Sequence, residues 1–516
     1  MNHVSPSTES VDAGDNLLYN GIYLYSRYAP RQRAEQIAVA FVPQPETFYL
    51  IPSPLFGYGI DLVRQKCRNA GALFLTAETD SFLFQNTTDK ECLFFDMKND
   101  ILPVTTKIEN ILAVAFCENK RIRKVSVLPL NEGYRLNKEQ YDRIALIIQK
   151  EIDLYWKNRS TVIFFKDLWI RNILRNLFET KKTLSVSKES YPYAVCGAGE
   201  SLEDALDFLS EKRHFLRIVA ADTALPVLLK KKIIPDYVVV LESQTANCSD
   251  FIYGVPDETI FISDISSGPA ANRSFLRKKW IRIPFAETEI FHRMPGPFPS
   301  FPQTGSVGIA ALYTATQLTD GPVLITGLDF CYMPGKTHAR GTDVHERLLL
   351  RQTRFCTTEA AFHAEPVTGR SVEGHPVSVS SALSNYAALI SGEADRFSNL
   401  FDCRSDGLPI GLPRQKLNDI RLPETPLPPL PFQIETISDE YALSIFYTGE
   451  KTLLDRAETE TVTDSLSVKT LKEMDCLHYF FPDYRLTNTE ASYRTRLFFY
   501  IRKFKRLLKK ISRHPI

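Results

Sequence analysis

Five short stretches of this 516-residue sequence combine glycine, hydroxyl and carboxylate residues in the way that phosphate and sugar chemistry requires. The sharpest is Cys196-Gly-Ala-Gly-Glu-Ser-Leu202, which follows an apolar strand-like run and opens a helix. Gly197 and Gly199 let the backbone approach an anion closely. The amides at the positive end of the helix can then bind a phosphate, and Ser201 can cap the helix or donate to the same group. A dinucleotide fingerprint would place a third glycine near position 202. Leu202 stands there, which disfavours a nicotinamide cofactor. The second stretch, Val219-Ala-Ala-Asp-Thr-Ala224, offers Asp222 and Thr223 to a ribose or base, and equally to the N-cap of the next helix. In the third, 235–243, Glu242 ends an apolar run. It can act as a base or hold a sugar hydroxyl, or simply be an exposed strand-end acid. The fourth, Gln303-Thr-Gly-Ser-Val-Gly308, makes Thr304, Gly305 and Ser306 a second anion nest before a helix, or a plain cap. The fifth, 326–342, puts Asp329 just beyond a strand and Lys336 and His338 in a glycine-flanked loop. His338 there is a candidate general acid for a leaving group, against the alternative of an ordinary surface histidine. His345 and His375 are weaker rivals.

These residues need a scaffold that gathers them. Apolar runs at 193–196, 216–220, 237–241, 260–263 and 323–326 read as strands. Helical patterns lie between them at 203–209, 224–231 and 308–318. The repeated strand–helix unit implies a Rossmann-like, mostly parallel sheet with helices on both faces, whose ligands lie beyond the carboxyl ends of the strands. Upstream, apolar runs at 37–42, 47–51, 72–75 and 111–116, with a helix-forming stretch at 59–69, suggest an N-terminal α/β domain. From 137 to 184 the pattern turns helical and reads as a connector. The Pro-rich stretch 294–302 is extended, either a lid or a surface connector, and 408–432 reads as a semi-rigid linker. The expected division is 1–182, an α/β domain with its helical connector; 183–412, a central nucleotide-sugar-binding domain; and 413–516, a linker with a mainly helical C-terminal region.

Composition narrows the function. A formal net charge of +1 gives no field toward nucleic acid. Nine scattered cysteines, none in a C-x-x-C pair, suit reduced thiols in a cytoplasmic protein, and no zinc-site spacing is present. The polar N-terminus lacks an apolar signal core, and no apolar run is long enough to span a bilayer. The end of the chain, 494–516, is basic and amphipathic. It can lie peripherally on an anionic membrane, dock an acidic partner, or pack on its own protein.

With these motifs together, the sequence resembles the motility accessory factor family, which shares its central domain with archaeal 6-hydroxymethylpterin pyrophosphokinases. The likeness rests on GAGESL (197–202), VAADTAL (219–225), IIPDYVVVLES (233–243), TGSVGIAAL (304–312) and TGLDF…GKTHARGT (326–342), and on YLYSRYAPRQRAEQIA (23–38). It covers about residues 20–415. The central domain also looks like bacterial sialyltransferases, which carry similar GxGxSL, TSG and SGxDF segments. That likeness implies that Gly197, Gly199 and Ser201 hold a donor phosphate and that Thr304, Gly305 and Ser306 complete the donor site. It further implies transfer of a nonulosonic acid of the sialic, pseudaminic or legionaminic type, from its CMP-activated form to a Ser or Thr of flagellin. Glu200 stands where the motif commonly has Pro, and Glu242 where it commonly has Asp.

Three readings follow. In the first, a glycosyltransferase works without a tightly bound cofactor or an essential metal, and Glu242 or Asp329 positions or deprotonates the acceptor hydroxyl. In the second, pyrophosphoryl transfer from ATP to a pterin needs Mg2+ held by Asp222, Glu242 or Asp329. In the third, the chain binds flagellin without catalysis.

Overall fold

The computed structural model describes residues 7–513 except 12–13, 98–101, 118–120, 180–181, 274–276, 282–288, 297–298, 300, 302–304, 334–335, 356, 358–367, 437–438, 464, 466 and 475–490. The chain forms two compact units, Met1–Phe164 with His478–Arg496, and Phe165–Leu477 with Leu497–Ile516. The boundary expected at 182 therefore moves to within the long helix Lys138–Glu179, and 413–516 is not a third body.

In the first unit, strands β1 (Ser7–Val11), β2 (Gly14–Tyr19) and β3 (Ile22–Tyr23) form an antiparallel sheet. Strands β4 (Thr47–Pro52), β5 (Leu73–Glu78), β6 (Leu93–Phe94) and β7 (Lys124–Val127) form a parallel one, in the order β6-β5-β4-β7. Two of the four apolar runs read for this region are these strands. The other two, 37–42 and 111–116, fall in or at the end of helices Pro30–Ala40 and Leu102–Cys117. In each of those the buried residues recur every three or four positions, Ala34 and Ala38 in one and Val104, Ile108, Leu112 and Ala115 in the other. That spacing is a helical stripe, which a six-residue window cannot display.

The second unit is built on a seven-stranded parallel sheet. Its strands are β9 (Tyr193–Cys196), β10 (Arg217–Ala221), β11 (Tyr237–Val240), β12 (Ile260–Asp264), β13 (Lys278–Ile281), β14 (Val323–Thr326) and β17 (Leu400–Asp402), in the order β13-β12-β11-β10-β9-β14-β17. Successive strand residues alternate between two cores, as the pleat requires. Tyr193, Val195, Val219 and Val239 face helix Val307–Leu318, while Ala194, Cys196, Ile218 and Val238 face helices Ser201–Glu211 and Leu225–Lys230. Leu202 and Leu209, both fully buried, anchor helix Ser201–Glu211. Each contributes about 1.5–3 kcal/mol through burial. The two-stranded antiparallel pairs β8 (Lys182–Val186) with β18 (Phe432–Thr436), and β15 (Thr368–Arg370) with β16 (Pro376–Ser378), complete the strands.

Two expected connectors are part of this body. Along 408–432, Ile410 and Leu412 are buried, Pro428 accepts from Arg217 Nη2 at 2.8 Å, and the segment runs into β18. It is a strap, not a linker. Of the Pro-rich stretch 294–302, the described Met294 and Phe301 are buried. The C-terminal helix Ala491–Arg513 turns Leu497, Ile501, Phe504 and Leu508 inward, and Arg502 and Lys505 pair with Glu458 in the acidic stretch. The apolar stripe of this helix is thus packed on its own protein, one of the three placements the sequence leaves open.

The chain leaves β9 in one direction, through β10 to β13, and returns to β14 on its other side. The gap between β9 and β14 is the switch point where such sheets place ligands. Here the two loops touch. A Cβ on Gly197 would lie 2.1 Å from the Gly327 oxygen and 2.4 Å from Leu328 Cδ2. Gly197→Ala is expected to destabilise the second unit by about 1–3 kcal/mol, the cost of overpacking a closed contact, as read by chemical denaturation.

Candidate functional site

The residues singled out from sequence lie along one edge, the carboxyl ends of β9, β10, β11 and β14. At β9, the Gly197 amide donates to Thr326 O and the Gly199 amide to Gly327 O, both at 2.8 Å. The Ser201 amide donates to Asp329 Oδ2 at 2.9 Å, and the Ser201 hydroxyl donates to Asp329 Oδ1. The Gly327 amide in turn donates to Ser201 Oγ at 2.9 Å. The bend expected to offer its amides to a phosphate therefore holds an internal anion. Asp329 sits at the helix N-terminus, where the dipole and free N–H groups favour a carboxylate. Gly197 and Gly199 are required by the neighbouring loop, since a Cβ on Gly199 would lie 2.5 Å from Asp329 Oδ2. The amides of Ala198 and Glu200 make no hydrogen bond among the described residues.

Loop 336–342 lies over this bend. The Ala339 amide donates to Ala198 O at 2.8 Å, and Lys336 Nζ reaches Glu200 Oε1 at 2.7 Å and Glu203 Oε1 at 3.2 Å. The Glu200 charge is neutralised there. His338, half-buried in the same loop, is held near pH 4 by burial and by His345. Fewer of its rings carry a proton near neutral pH than an ordinary imidazole would. Gly305 has φ +65°, and its carbonyl accepts from Tyr386 Oη at 2.6 Å. Ser306 occupies the N-cap position of helix Val307–Leu318, and a Cβ on Gly308 would meet Leu328 Cδ2 at 2.4 Å, so this helix start also packs on the β14 loop. Thr304 lies outside the described residues.

Asp222, at the end of β10, is buried. Thr223 donates to its Oδ1 through both amide and hydroxyl, and Asn247 Nδ2 donates to Oδ2 at 3.0 Å. Burial pushes its carboxyl up to about 6, a rise that these hydrogen bonds oppose and the Glu242 charge reinforces. Glu242 is exposed and accepts from the Gln244 amide at 2.8 Å. Asp329 is likewise raised to about 6 by burial, against the pull of Ser201 and Arg404. It is enclosed by Ser201 and the chain around Gly407, so it is a positioning residue and not an exposed base. Each oxygen of Asp222 and of Asp329 already accepts at least one hydrogen bond from the protein. Among the described residues no three His, Cys, Asp or Glu side chains gather in a metal-binding arrangement.

Several site residues, His375 excepted, escaped the sequence. Arg404, almost fully buried, forks onto Asp402 through Nε and Nη2, both at 2.8 Å, and donates to Leu328 O at 2.7 Å, bracing the β14 loop. Beyond β17, His375 Nδ1 lies 2.7 Å from Asp406 Oδ2, which also accepts from Ser371 Oγ at 2.8 Å. Burial raises the Asp406 carboxyl, but bonds from His375, Ser371 and two amides hold it below its ordinary value. The His375 ring is 66% exposed, so its far nitrogen faces solvent. Asn172 Nδ2 donates to Ser243 O and Ser266 O, and Asn176 Nδ2 to Ile265 O and Ser267 O, pinning the loops after β11 and β12. Asp250, nine-tenths buried, is raised to about 7 by burial and by Asp222, Asp343 and Glu242, with Arg347 opposing. A cleft of about 340 Å3 lined by Cys248, Phe251, Gly254, Val255, Ala270 and Ala271 contains none of the residues read from sequence as site candidates.

Residues 170–335 match the family model described as 6-hydroxymethylpterin diphosphokinase MptE-like. An uncharacterized protein of Treponema pallidum (strain Nichols) is 27% identical over 413 residues, 77% of this chain and 71% of that protein. A second from the same organism is 28% identical over 106 residues, 20% of this chain and 50% of its own length. Among solved structures, the Maf glycosyltransferase from Magnetospirillum magneticum AMB-1 superposes with a TM-score of 0.61, covering 99% of this chain and 90% of that one at 13% identity. The shared fold agrees with the architecture expected from the motifs.

A carboxyl raised in the folded state gives stability that is complete below its unfolded pKa and lost as pH rises through its folded one. For Asp250 that window runs from the ordinary carboxylate range to about 7. Asp250→Asn lacks this loss, so the melting temperature of the variant, measured against the wild type, is expected to gain steadily from pH 4 to pH 8. A constant difference across that range would exclude a buried, uncompensated Asp250.

Proposed function

We propose that this chain is a cytoplasmic glycosyltransferase that moves a nonulosonic acid from a CMP-activated donor to a Ser or Thr hydroxyl of flagellin. The observation that carries the reading is the His375–Asp406 pair at the carboxyl edge of the sheet. A buried carboxylate fixes Nδ1, which sets the tautomer and leaves the outer nitrogen basic and accessible, as deprotonation of an acceptor hydroxyl requires. The fold shared with a Maf glycosyltransferase and the MptE-like match at 170–335 support the same reading. The donor phosphate is assigned to the amides of Ala198 and Glu200, with Lys336 beside them, and leaves as CMP once its charge is held. Arg404, Asp329 and Ser201 keep that bend rigid. The described Cys67, Cys92, Cys196, Cys248, Cys331 and Cys403 are free thiols, as a reducing compartment leaves them, and no helix of the described residues is long and apolar enough to cross a membrane.

The MptE-like match also favours a second reading, pyrophosphoryl transfer from ATP to a pterin. Nucleotide preference separates the two: calorimetry is expected to show CMP binding and no ATP binding. Incubation of flagellin with this protein and a CMP-nonulosonic acid is expected to raise the intact mass of flagellin by sugar increments. His375→Gln should slow that transfer by roughly 100-fold or more with CMP affinity unchanged. ATP preference with unmodified flagellin would remove the glycosyltransferase reading.

A further inference from the structure

One carboxylate at the sheet edge has no assigned work. Asp250 lies in the 3-10 segment Thr245–Phe251 that follows β11. It is 9% exposed, and among the described residues it accepts no hydrogen bond and forms no ion pair. Leaving a buried carboxylate without donors is costly, and native proteins rarely tolerate it without a reason. Its surroundings make the cost greater. Residues three apart share a face of a 3-10 turn, so Asn247 and Asp250 look the same way. Asn247 donates to Asp222 Oδ2 at 3.0 Å, which turns that face toward the end of β10. Asp222, Asp343 and Glu242 are the acids facing Asp250, and Arg347 is the cation whose charge opposes them. Arg347 is itself engaged by Asp343 and Ser249. Two buried carboxylates therefore stand together at the end of the strand next to the β9 bend. Asp222 has its protein donors, and Asp250 lacks any.

We infer that Asp250, together with Asp222, binds the two vicinal hydroxyls of a nucleotide ribose. A diol brings two O–H donors on adjacent carbons, one for each carboxylate. The end of the strand beside the phosphate-side bend is where a ribose falls in an open parallel sheet. The half-buried Thr223 and the exposed Glu242 form the rim through which the sugar enters. Asp250 would then set the preference for ribonucleotides over deoxyribonucleotides. This rests on the nucleotide-donor reading above.

The test is calorimetry of the full chain with CMP and with 2′-deoxy-CMP, on the wild type, Asp250→Leu and Asp250→Asn. The wild type should bind CMP roughly tenfold or more tightly than the deoxy form, the worth of one hydrogen bond to a charged group. Asp250→Leu should bind the two alike. Asp250→Asn, which keeps the shape and removes a buried charge, should fold and show a clearly reduced preference. Equal binding of both nucleotides by the wild type, or an undiminished preference in the folded variants, overturns the ribose assignment and leaves the nucleotide reading intact. Failure of the wild type to bind either nucleotide overturns both.

Discussion

The second unit depends on one contact, the approach of the Gly197 bend to the Gly327 bend at the switch point of the sheet. Two loops from strands adjacent in space but far apart in sequence meet with no side chain between them, and Ser201 and Asp329 close the junction with three hydrogen bonds. That contact fixes the start of helix Ser201–Glu211 and positions Leu328 against the start of helix Val307–Leu318. It also brings Asp329 under loop 336–342. Arg404 secures the outer side by holding Leu328 O. The same few atoms decide where every loop of the edge can lie.

Around that junction the edge carries charge of two kinds. Near β9 and β14 it is compensated: Lys336 answers Glu200 and Glu203, and Arg404 answers Asp402. Toward β10 and β11 it is not: burial and the Glu242 charge raise the proton affinity of Asp222, and burial with Asp222, Asp343 and Glu242 raises that of Asp250. A protein that only needed stability would replace such a cluster by apolar residues. Its persistence at the mouth of a parallel sheet is what a functional site looks like.

Much of the fold was legible in the sequence. The strands β9, β11 and β14 are apolar runs bounded by Pro or Gly, and their positions read directly. Helix Leu102–Cys117 was misread as a strand because its run 111–116 shows only the end of a stripe that begins at Val104. The glycines of 197–199 were recognised as necessary, but for the wrong neighbour. The group pressing on them is Gly327 and Asp329, and a contact across 128 residues has no local signature. His375 and Asp406 are 31 residues apart, and Asp250 reaches Asp222 only through a turn that carries Asn247. The strand β17, which delivers Arg404 and Asp406, has three residues and too little periodicity to be seen. Chemistry assembled by tertiary approach stays hidden where chemistry carried by a single motif does not.

The carboxylate of Asp329 at the head of helix Ser201–Glu211 has one last consequence. A helix terminus that is vacant attracts whatever small anion the solvent supplies, and such sites fill with sulfate or phosphate without discrimination. Here the protein supplies its own counter-ion, held by Ser201 and shielded from water. The Gly199 and Ser201 amides are thereby satisfied without an external anion. An incoming molecule has to be recognised by the rest of the edge first, and selectivity against the abundant free anions of a cell comes built into the resting state.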